Sequence, residues 1–298
     1  MSEIAIKSLR ALEDMRVVVA LQRVYWGDEV ESVIPAHMLF SLANHGGHVL
    51  TAFDADRAVG ALVGFLGTNI EETRRPAMAN LQLVSKRMVV LPEYRGRSIG
   101  FRLKLAQRDL AMAQGVRLIV WTFDPLLAAN AHLNIRKLGA ICPQFRRDYY
   151  GVSSEGRLTV LGSSDRFIVE WWVTNRRVEE RLFGRRADLT LSQYREADTV
   201  ILNPTVVASD GALLPSETIA EPVSSLALVE IPLDYERMVV EHPALAQRWR
   251  SHSRVVFERL FGQGFVVTDF LHETYEGRER AFYVMSYNGP QFESFTIN

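Results

Sequence analysis

Cysteine is nearly missing from this chain of 298 residues. The single one, Cys142, excludes an internal disulfide framework and suits a reducing compartment. No apolar run approaches the roughly 18 residues that span a bilayer. The first residues, Met1-Ser2-Glu3-Ile4-Ala5-Ile6-Lys7, lack the pattern of a secretion signal. The expectation is a cytoplasmic protein with no membrane partner. An excess of one charge is also missing: 34 basic against 35 acidic residues leave a net −1, so no overall basic field holds nucleic acid. The seven histidines form no ligand-spaced cluster, and no metal is expected. Low-complexity tracts and short-period repeats are absent. What is present is 48% hydrophobic and 23% charged residues, a globular balance, over a length that accommodates two domains.

Periodicity outlines the elements. Residues 4–7 read as a strand, 12–25 and 35–43 as helices, and 49–53 with 59–66 as a hairpin around Asp54-Ala55-Asp56-Arg57. Residues 81–90 read as a longer strand broken at Ser85-Lys86-Arg87. In the helix expected from 98 to 114, Ile99, Leu103, Ala106, Leu110 and Ala113 share a face, with Arg102, Lys104 and Arg108 elsewhere. A strand at 116–123 stops at Asp124-Pro125. A helix at 127–138 is closed by Gly139, and 140–142 and 167–173 are further strand candidates. Residues 187–223 are mixed, with breakers at Asn203-Pro204, Asp210-Gly211 and Glu221-Pro222. Beyond them lie a strand at 226–231, a helix at 243–261 carrying Leu245, Trp249, Val256 and Leu260 on one face, and strands at 265–271 and 281–286 joined by polar 273–280.

The most informative stretch is Val89-Val90-Leu91-Pro92-Glu93-Tyr94-Arg95-Gly96-Arg97-Ser98-Ile99-Gly100. A strand ends at a proline, a basic glycine-bearing loop follows, and a helix begins at once. That order leaves free backbone N–H groups and the positive end of a helix where a strand stops, which is a place for phosphate. The arginines add charge-assisted contacts. The GK[ST] ending of a P-loop and the GxGxxG spacing of a dinucleotide fold are both missing, so neither applies.

The segment Arg95-Gly96-Arg97-Ser98-Ile99-Gly100 resembles motif A of the GNAT superfamily of acyl-CoA N-acyltransferases. Asn130-Ala131-His132-Leu133-Asn134-Ile135-Arg136-Lys137-Leu138-Gly139-Ala140 is similar to its motif B, at the expected separation. The resemblance covers about residues 1–174. With Trp121-Thr122-Phe123-Asp124-Pro125 and Asp148-Tyr149-Tyr150-Gly151 it extends to a two-part branch of that superfamily. It implies an α+β fold with a mixed central sheet flanked by helices at 1–174. A smaller α/β domain at 175–298 would follow, substrate-binding or half-GNAT-like.

The resemblance also implies roles. Within the cofactor-binding loop Arg95-Gly96-Arg97-Ser98-Ile99-Gly100, the backbone amides of Arg97, Ser98, Ile99 and Gly100 would bind the coenzyme A pyrophosphate, with charge from Arg95 and Arg97. Met88 and Val90 would pair with the pantetheine arm, Asn130 would hold it near the thioester, and an N–H at Val89 or Val90 would polarise the acyl carbonyl. Two residues depart from the family pattern. Ser98 stands where glycine is usual, and serine is a good helix N-cap. Ile135 stands where the family often has a tyrosine acid.

Candidates for proton transfer and substrate contact follow from residue type. Asp124, at a strand end, could deprotonate an ammonium or simply make an Asp-Pro turn. Ser85 is a polar group on the central strand or a strand irregularity. Lys86 could bind a substrate carboxylate. His132 is a base or a packing residue. Tyr149 and Tyr150 are replacement acids or packing aromatics. Cys142 reads as a buried small hydrophobe without activation. Arg250 and Arg254, four apart on one helix, could grip a substrate carboxylate or face solvent in ion pairs.

Together these imply an acyl-CoA-dependent N-acyltransferase. It would use acetyl-CoA or a larger acyl-CoA such as succinyl-CoA as co-substrate, and the primary amine of a small molecule of the amino-acid kind would attack the thioester directly. Two alternatives stay open: a non-catalytic CoA-binding module and a protein or peptide N-acetyltransferase. A homodimer is compatible with either.

Overall fold

In the computed structural model, which describes residues 3–28, 32–69, 76–151, 163–208 and 212–288, the early strand signals pair with their neighbours in sequence. The breakers Asp210-Gly211 lie outside the described residues. β1 (Ile4–Ser8) runs antiparallel to β2 (His48–Asp54), reached through α1 (Leu12–Trp26) and α2 (Ala36–Asn44). The expected hairpin joins β2 to β3 (Arg57–Thr68), with Ala55 at φ +52° in its tip. β3 continues antiparallel to β4 (Leu81–Val90). After α3 (Ile99–Ala113), β5 (Leu118–Phe123) pairs parallel to β4, so this sheet is mixed. α1 buries Met15, Val18 and Leu21, α2 buries Leu39, and α3 buries Ile99 and Leu103. These side chains close one apolar core with Val49, Leu62 and Val89 of the sheet.

α3 is turned on its axis relative to the expected face. Its buried residues are Ile99, Leu103, Lys104, Gln107, Arg108 and Ala111, while Leu110 is half-buried and Ala113 is exposed. Two cations and an amide therefore lie inside. The hydrophobic pattern alone favoured the neighbouring stripe. The polar groups tolerate burial because each has a partner: Arg108 Nε, for example, donates to the Val173 carbonyl at 3.0 Å.

The second set of elements starts with α4 (Ala128–Ala131), which runs on as a π-helical turn at His132–Lys137 and ends at Gly139, φ +71°. Then come β6 (Ile141–Arg146), β7 (Arg166–Trp172), α5 (Arg176–Leu182), α6 (Leu191–Glu196) and the two-residue strands β8 (Val200–Ile201), β9 (Val206–Val207) and β10 (Leu213–Leu214). β11 (Leu226–Ile231), α7 (Tyr235–Glu241), α8 (Pro243–Gly262), β12 (Phe265–Tyr275) and β13 (Arg278–Tyr287) complete the described chain. The strand order is β7-β6-β12-β13-β11-β8. The polar stretch 273–280, expected as a linker, is mostly strand. The turn needs only Glu276 and Gly277, both at positive φ, and Glu273, Thr274, Glu279 and Arg280 pair across it. Phe167, Phe257, Phe270 and Tyr283 pack ring against ring at the centre, with centroids 4.8 to 5.8 Å apart.

The described chain divides into two compact units. One runs to Trp121 and takes in Trp171–Asn175; the other holds the described residues from Thr122 to Glu170 and from Arg176 onward. This division comes earlier than the 174/175 boundary expected from sequence. The cause is long-range bonding at the end of β5. Arg250 grips Asp124 across 126 residues of sequence, and the Tyr283 hydroxyl donates to the Pro125 carbonyl across 158.

Candidate active site

In the first unit the strand–loop–helix segment forms as its sequence implies, except at its cap. Pro92–Tyr94 make a single 3-10 turn, Gly96 sits at φ +75°, and α3 begins at Ile99. An added Cβ at Gly96 would meet nothing within 4 Å, so backbone conformation and not space calls for glycine there. Ser98, expected to cap α3 with its hydroxyl, does not. Its backbone is left-handed (φ 58°, ψ 17°) and its side chain makes no capping bond. An L-residue in that region costs roughly 1 kcal/mol, which is why glycine is usual at such a place. Arg95 to Ser98 are exposed, and no described residue accepts a hydrogen bond from the N–H groups of Gly96, Arg97 or Ser98. The first N–H groups of α3 add further unpaired donors. Arg97 lies over the Tyr94 ring (4.9 Å) and Arg95 over the Tyr25 ring (5.7 Å), and neither has a carboxylate partner among the described residues.

The strand that leads to this loop has one open edge. β4 and β5 pair only at Leu83–Ile119 and Val84–Val120, and from Ser85 onward no described strand joins β4 on that side. The other edge stays paired to β3. There the Leu91 N–H donates to the Val59 carbonyl at 2.9 Å. Alternation along an antiparallel ladder then turns the backbone groups of Val89 toward β3, and those of Met88 and Val90 toward the open edge. Of the two residues expected to polarise a carbonyl, only Val90 has its N–H on the free side. The register with β3 slips by one residue between Arg87 and Ser85, leaving Lys86 as an exposed bulge.

Beneath that bulge lies a group of buried polar side chains. The Lys104 ammonium nitrogen is 2.9 Å from Ser85 Oγ, 3.3 Å from Gln107 Oε1 and 3.5 Å from the centre of the Trp121 ring. Gln107 Nε2 is 2.8 Å from His48 Nε2. Gly64 makes room for them: a Cβ there would come within 2.5 Å of the His48 ring and 2.9 Å of Gln107. Burial pushes the Lys104 pKa well below its ordinary value. Burial, with the nearby Lys104, lowers His48 to about 4. Ser85 was legible as a candidate. Lys104, Gln107 and His48 were not, because nothing in the spacing of α3 marks position 104 as internal.

The second unit overturns three expected roles. Asp124 is buried and clasped by both terminal nitrogens of Arg250, at 2.9 and 2.7 Å, while its Oδ1 caps the Leu126 N–H at 2.9 Å. A carboxylate so held is no base for a substrate ammonium. Arg250, 1% exposed, stacks on Tyr235 at 4.8 Å and lies 3.8 Å from Asp165, so it cannot reach a substrate carboxylate. Although burial opposes its charge, Asp124 outweighs that and raises its pKa. Arg254 bonds Asp165 at 2.8 Å and Asp148 at 2.7 Å. These arginines do grip carboxylates, but those of their own chain. Neither arginine is left to meet the second carboxylate of an acyl donor such as succinyl-CoA.

The remaining candidates are simply located. Asn130 is half-buried in α4, and Ile135 is fully buried in the π-helical turn. Tyr149 and Tyr150 are 48% and 40% exposed and meet edge to face at 4.9 Å; the Tyr150 hydroxyl lies 3.1 Å from Thr122 Oγ1. His132 is half-buried with its Nδ1 unpaired among the described residues, and burial lowers its pKa. Cys142 is buried, and burial pushes its thiol well up, away from reactivity.

Comparison with known proteins agrees with the motifs. Residues 16–139 match the model of the Acetyltransferase (GNAT) family. Among solved structures it is similar to the ribosomal-protein-S18-alanine N-acetyltransferase of Escherichia coli, at 15% identity over 58% of this chain and 96% of that one, with a TM-score of 0.44. It is also similar to Arabidopsis thaliana Naa50 in complex with a bisubstrate analogue, at 16% identity over 56% and 97%, with a TM-score of 0.41. An N-acetyltransferase from Staphylococcus aureus Mu50 gives 16% identity over 58% and 100%, with a TM-score of 0.42. No curated protein matches. Among the described residues no helix is long and apolar enough to cross a membrane.

Proposed function

We propose that this protein is an acyl-CoA-dependent N-acyltransferase that moves an acetyl group from acetyl-CoA to the primary amine of a small molecule. The carrying observation is the exposed loop from Arg95 to Ser98, where the amides of Gly96, Arg97 and Ser98 have no described acceptor, at the end of a strand with one free edge. Unpaired amides and unpaired guanidinium groups suit a pyrophosphate. From there, a pantetheine arm laid along β4 would use the free backbone groups of Val90 and Met88, as an added strand does. With the thioester beyond them, the Val90 N–H is the group on hand to hold the developing oxyanion.

Transfer is then direct. The amine nitrogen attacks the thioester carbon, the tetrahedral intermediate collapses, and coenzyme A leaves as the thiolate. With Ile135 in place of a tyrosine, the thiolate leaves without that acid. Tyr149, half exposed, is the remaining phenol to test, and Tyr149→Phe slows turnover if it serves. Lys86, exposed at the bulge, is the candidate contact for an acceptor carboxylate.

Thiol release from acetyl-CoA tests this reading, measured with free amino acids, polyamines, aromatic amines and short peptides. Turnover with free amines is expected. Turnover only with peptides would replace the acceptor class, and CoA binding with no turnover across the panel would make the protein a binding module.

A further inference from the structure

The buried group under β4 has a chemistry that the proposed acyl transfer requires. Ser85 is the first residue of β4 beyond its last pair with β5, so it stands where the open edge begins. Its hydroxyl meets Lys104 Nζ at 2.9 Å, and Lys104 has no carboxylate partner among the described residues. The groups facing Lys104 are Ser85 from β4, Trp121 from β5 and Gln107 from its own helix, with His48 of β2 behind Gln107. His48, its pKa lowered to about 4, is uncharged near neutrality. We infer that Ser85 and Lys104 form the proton acceptor of the acyl transfer: Ser85 takes a proton from the attacking amine and passes its own to Lys104. The inference rests on the acyltransferase reading above.

The hydrogen bond between the two residues follows the protonation state. The ammonium donates to Oγ, whereas the neutral amine accepts from it. Lys104 is held among Trp121, Gln107 and Ser85 with its charge desolvated, and burial shifts it toward the amine, the form that can accept a proton. When the substrate nitrogen attacks, a C–N bond forms and the nitrogen becomes acidic. Its proton moves to Ser85 Oγ as the Ser85 proton moves to Nζ. The C–S bond then breaks and the CoA thiolate departs with the electron pair. The proton returns from Lys104 through Ser85 to the thiolate or to water, and amine plus thioester has become amide plus thiol. The Trp121 ring face lies 3.5 Å from Nζ and steadies the ammonium while it lasts. Lys104 acts through Ser85 and touches no reacting atom itself.

Two measurements test this. Wild-type protein carrying 13C-labelled lysine is titrated by NMR, with the Lys104 signal assigned from Lys104→Arg. The expected result is a Lys104 amine that is neutral at pH 8 and whose titration moves in Ser85→Ala; a Lys104 still charged at pH 10 overturns the relay. Steady-state kinetics with acetyl-CoA and the fastest amine of the panel follow. Ser85→Ala is expected to lower kcat about 100-fold, with KM for acetyl-CoA held within about twofold. The acid limb of the kcat–pH profile is lost in that variant, and Ser85→Thr, which keeps the hydroxyl, restores activity. An unchanged kcat and pH profile in Ser85→Ala overturns the relay but leaves the acyltransferase reading standing. Failure of the wild type to bind CoA removes the acyltransferase reading and the relay with it.

Discussion

Arg95 and Arg97 in the first unit and Arg250 and Arg254 in the second are the same residue in opposite circumstances. The first pair is exposed on a loop beside unpaired amides, over the rings of Tyr25 and Tyr94. The second pair lies in a lattice with Asp124, Asp148 and Asp165, with contacts of 2.7 to 2.8 Å. A guanidinium is available to a ligand only where the chain has not already supplied its carboxylate. By that rule the loop stays open to an anion while the lattice is filled by its own chain, although both read as anion sites in the sequence.

Removing one partner from the lattice has the largest expected effect. Asp124→Ala leaves Arg250 charged and buried, and urea unfolding should show a loss of about 3–5 kcal/mol. The double change Asp124→Ala with Arg250→Met should be far milder. Equal losses in the two would mean that the pair is not coupled in the way described.

The buried bases of the first unit give the next effect. His48 has a folded pKa of about 4 against an ordinary 6.5, so the unfolded chain takes up the proton first as the pH falls. The His48 contribution is therefore level well above pH 6.5 and declines through that range toward pH 4, by about 3 kcal/mol at most. Unfolding of His48→Gln should lack that part of the slope. A variant as pH-sensitive as the wild type would assign the slope to other groups.

Ser98 allows the loop to be pushed toward either side of the comparison. Ser98→Asp supplies a carboxylate at the anion site and should weaken CoA by about tenfold, equal to about 1.4 kcal/mol. Ser98→Gly removes the left-handed strain and should raise stability by about 1 kcal/mol or less, the smallest change expected, read as a shift in the urea midpoint. Tighter CoA binding in Ser98→Asp would contradict the loop's assigned role.

Much of the first unit was legible because its signals are local. The hairpin at Asp54–Arg57, the strand stop at Pro92, the turn at Gly96 and the start of α3 each depend on residues within a few positions. The π-helical ending of motif B and the inward turn of α3 were not, since both depend on what packs against them. Position 104 shows the limit. A lysine two residues from Arg102 looks like a solvated face until Ser85, Gln107 and Trp121 close around it. In α8, Arg250 lies on the stripe of Ala246, Trp249, Ser253 and Phe257, all buried. Extending the apolar spacing through position 250 would have marked it as internal. The identity of its partner, 126 residues away, was beyond any local pattern.

The central claim is that the loop and the free edge of β4 bind coenzyme A, and equilibrium unfolding with and without CoA tests it most directly. At 100 times its dissociation constant CoA should stabilise the wild type by about 2.7 kcal/mol, and Arg95→Ala with Arg97→Ala should lose most of that gain at the same concentration. Absence of stabilisation in the wild type, or an undiminished gain in the double variant, would contradict the account.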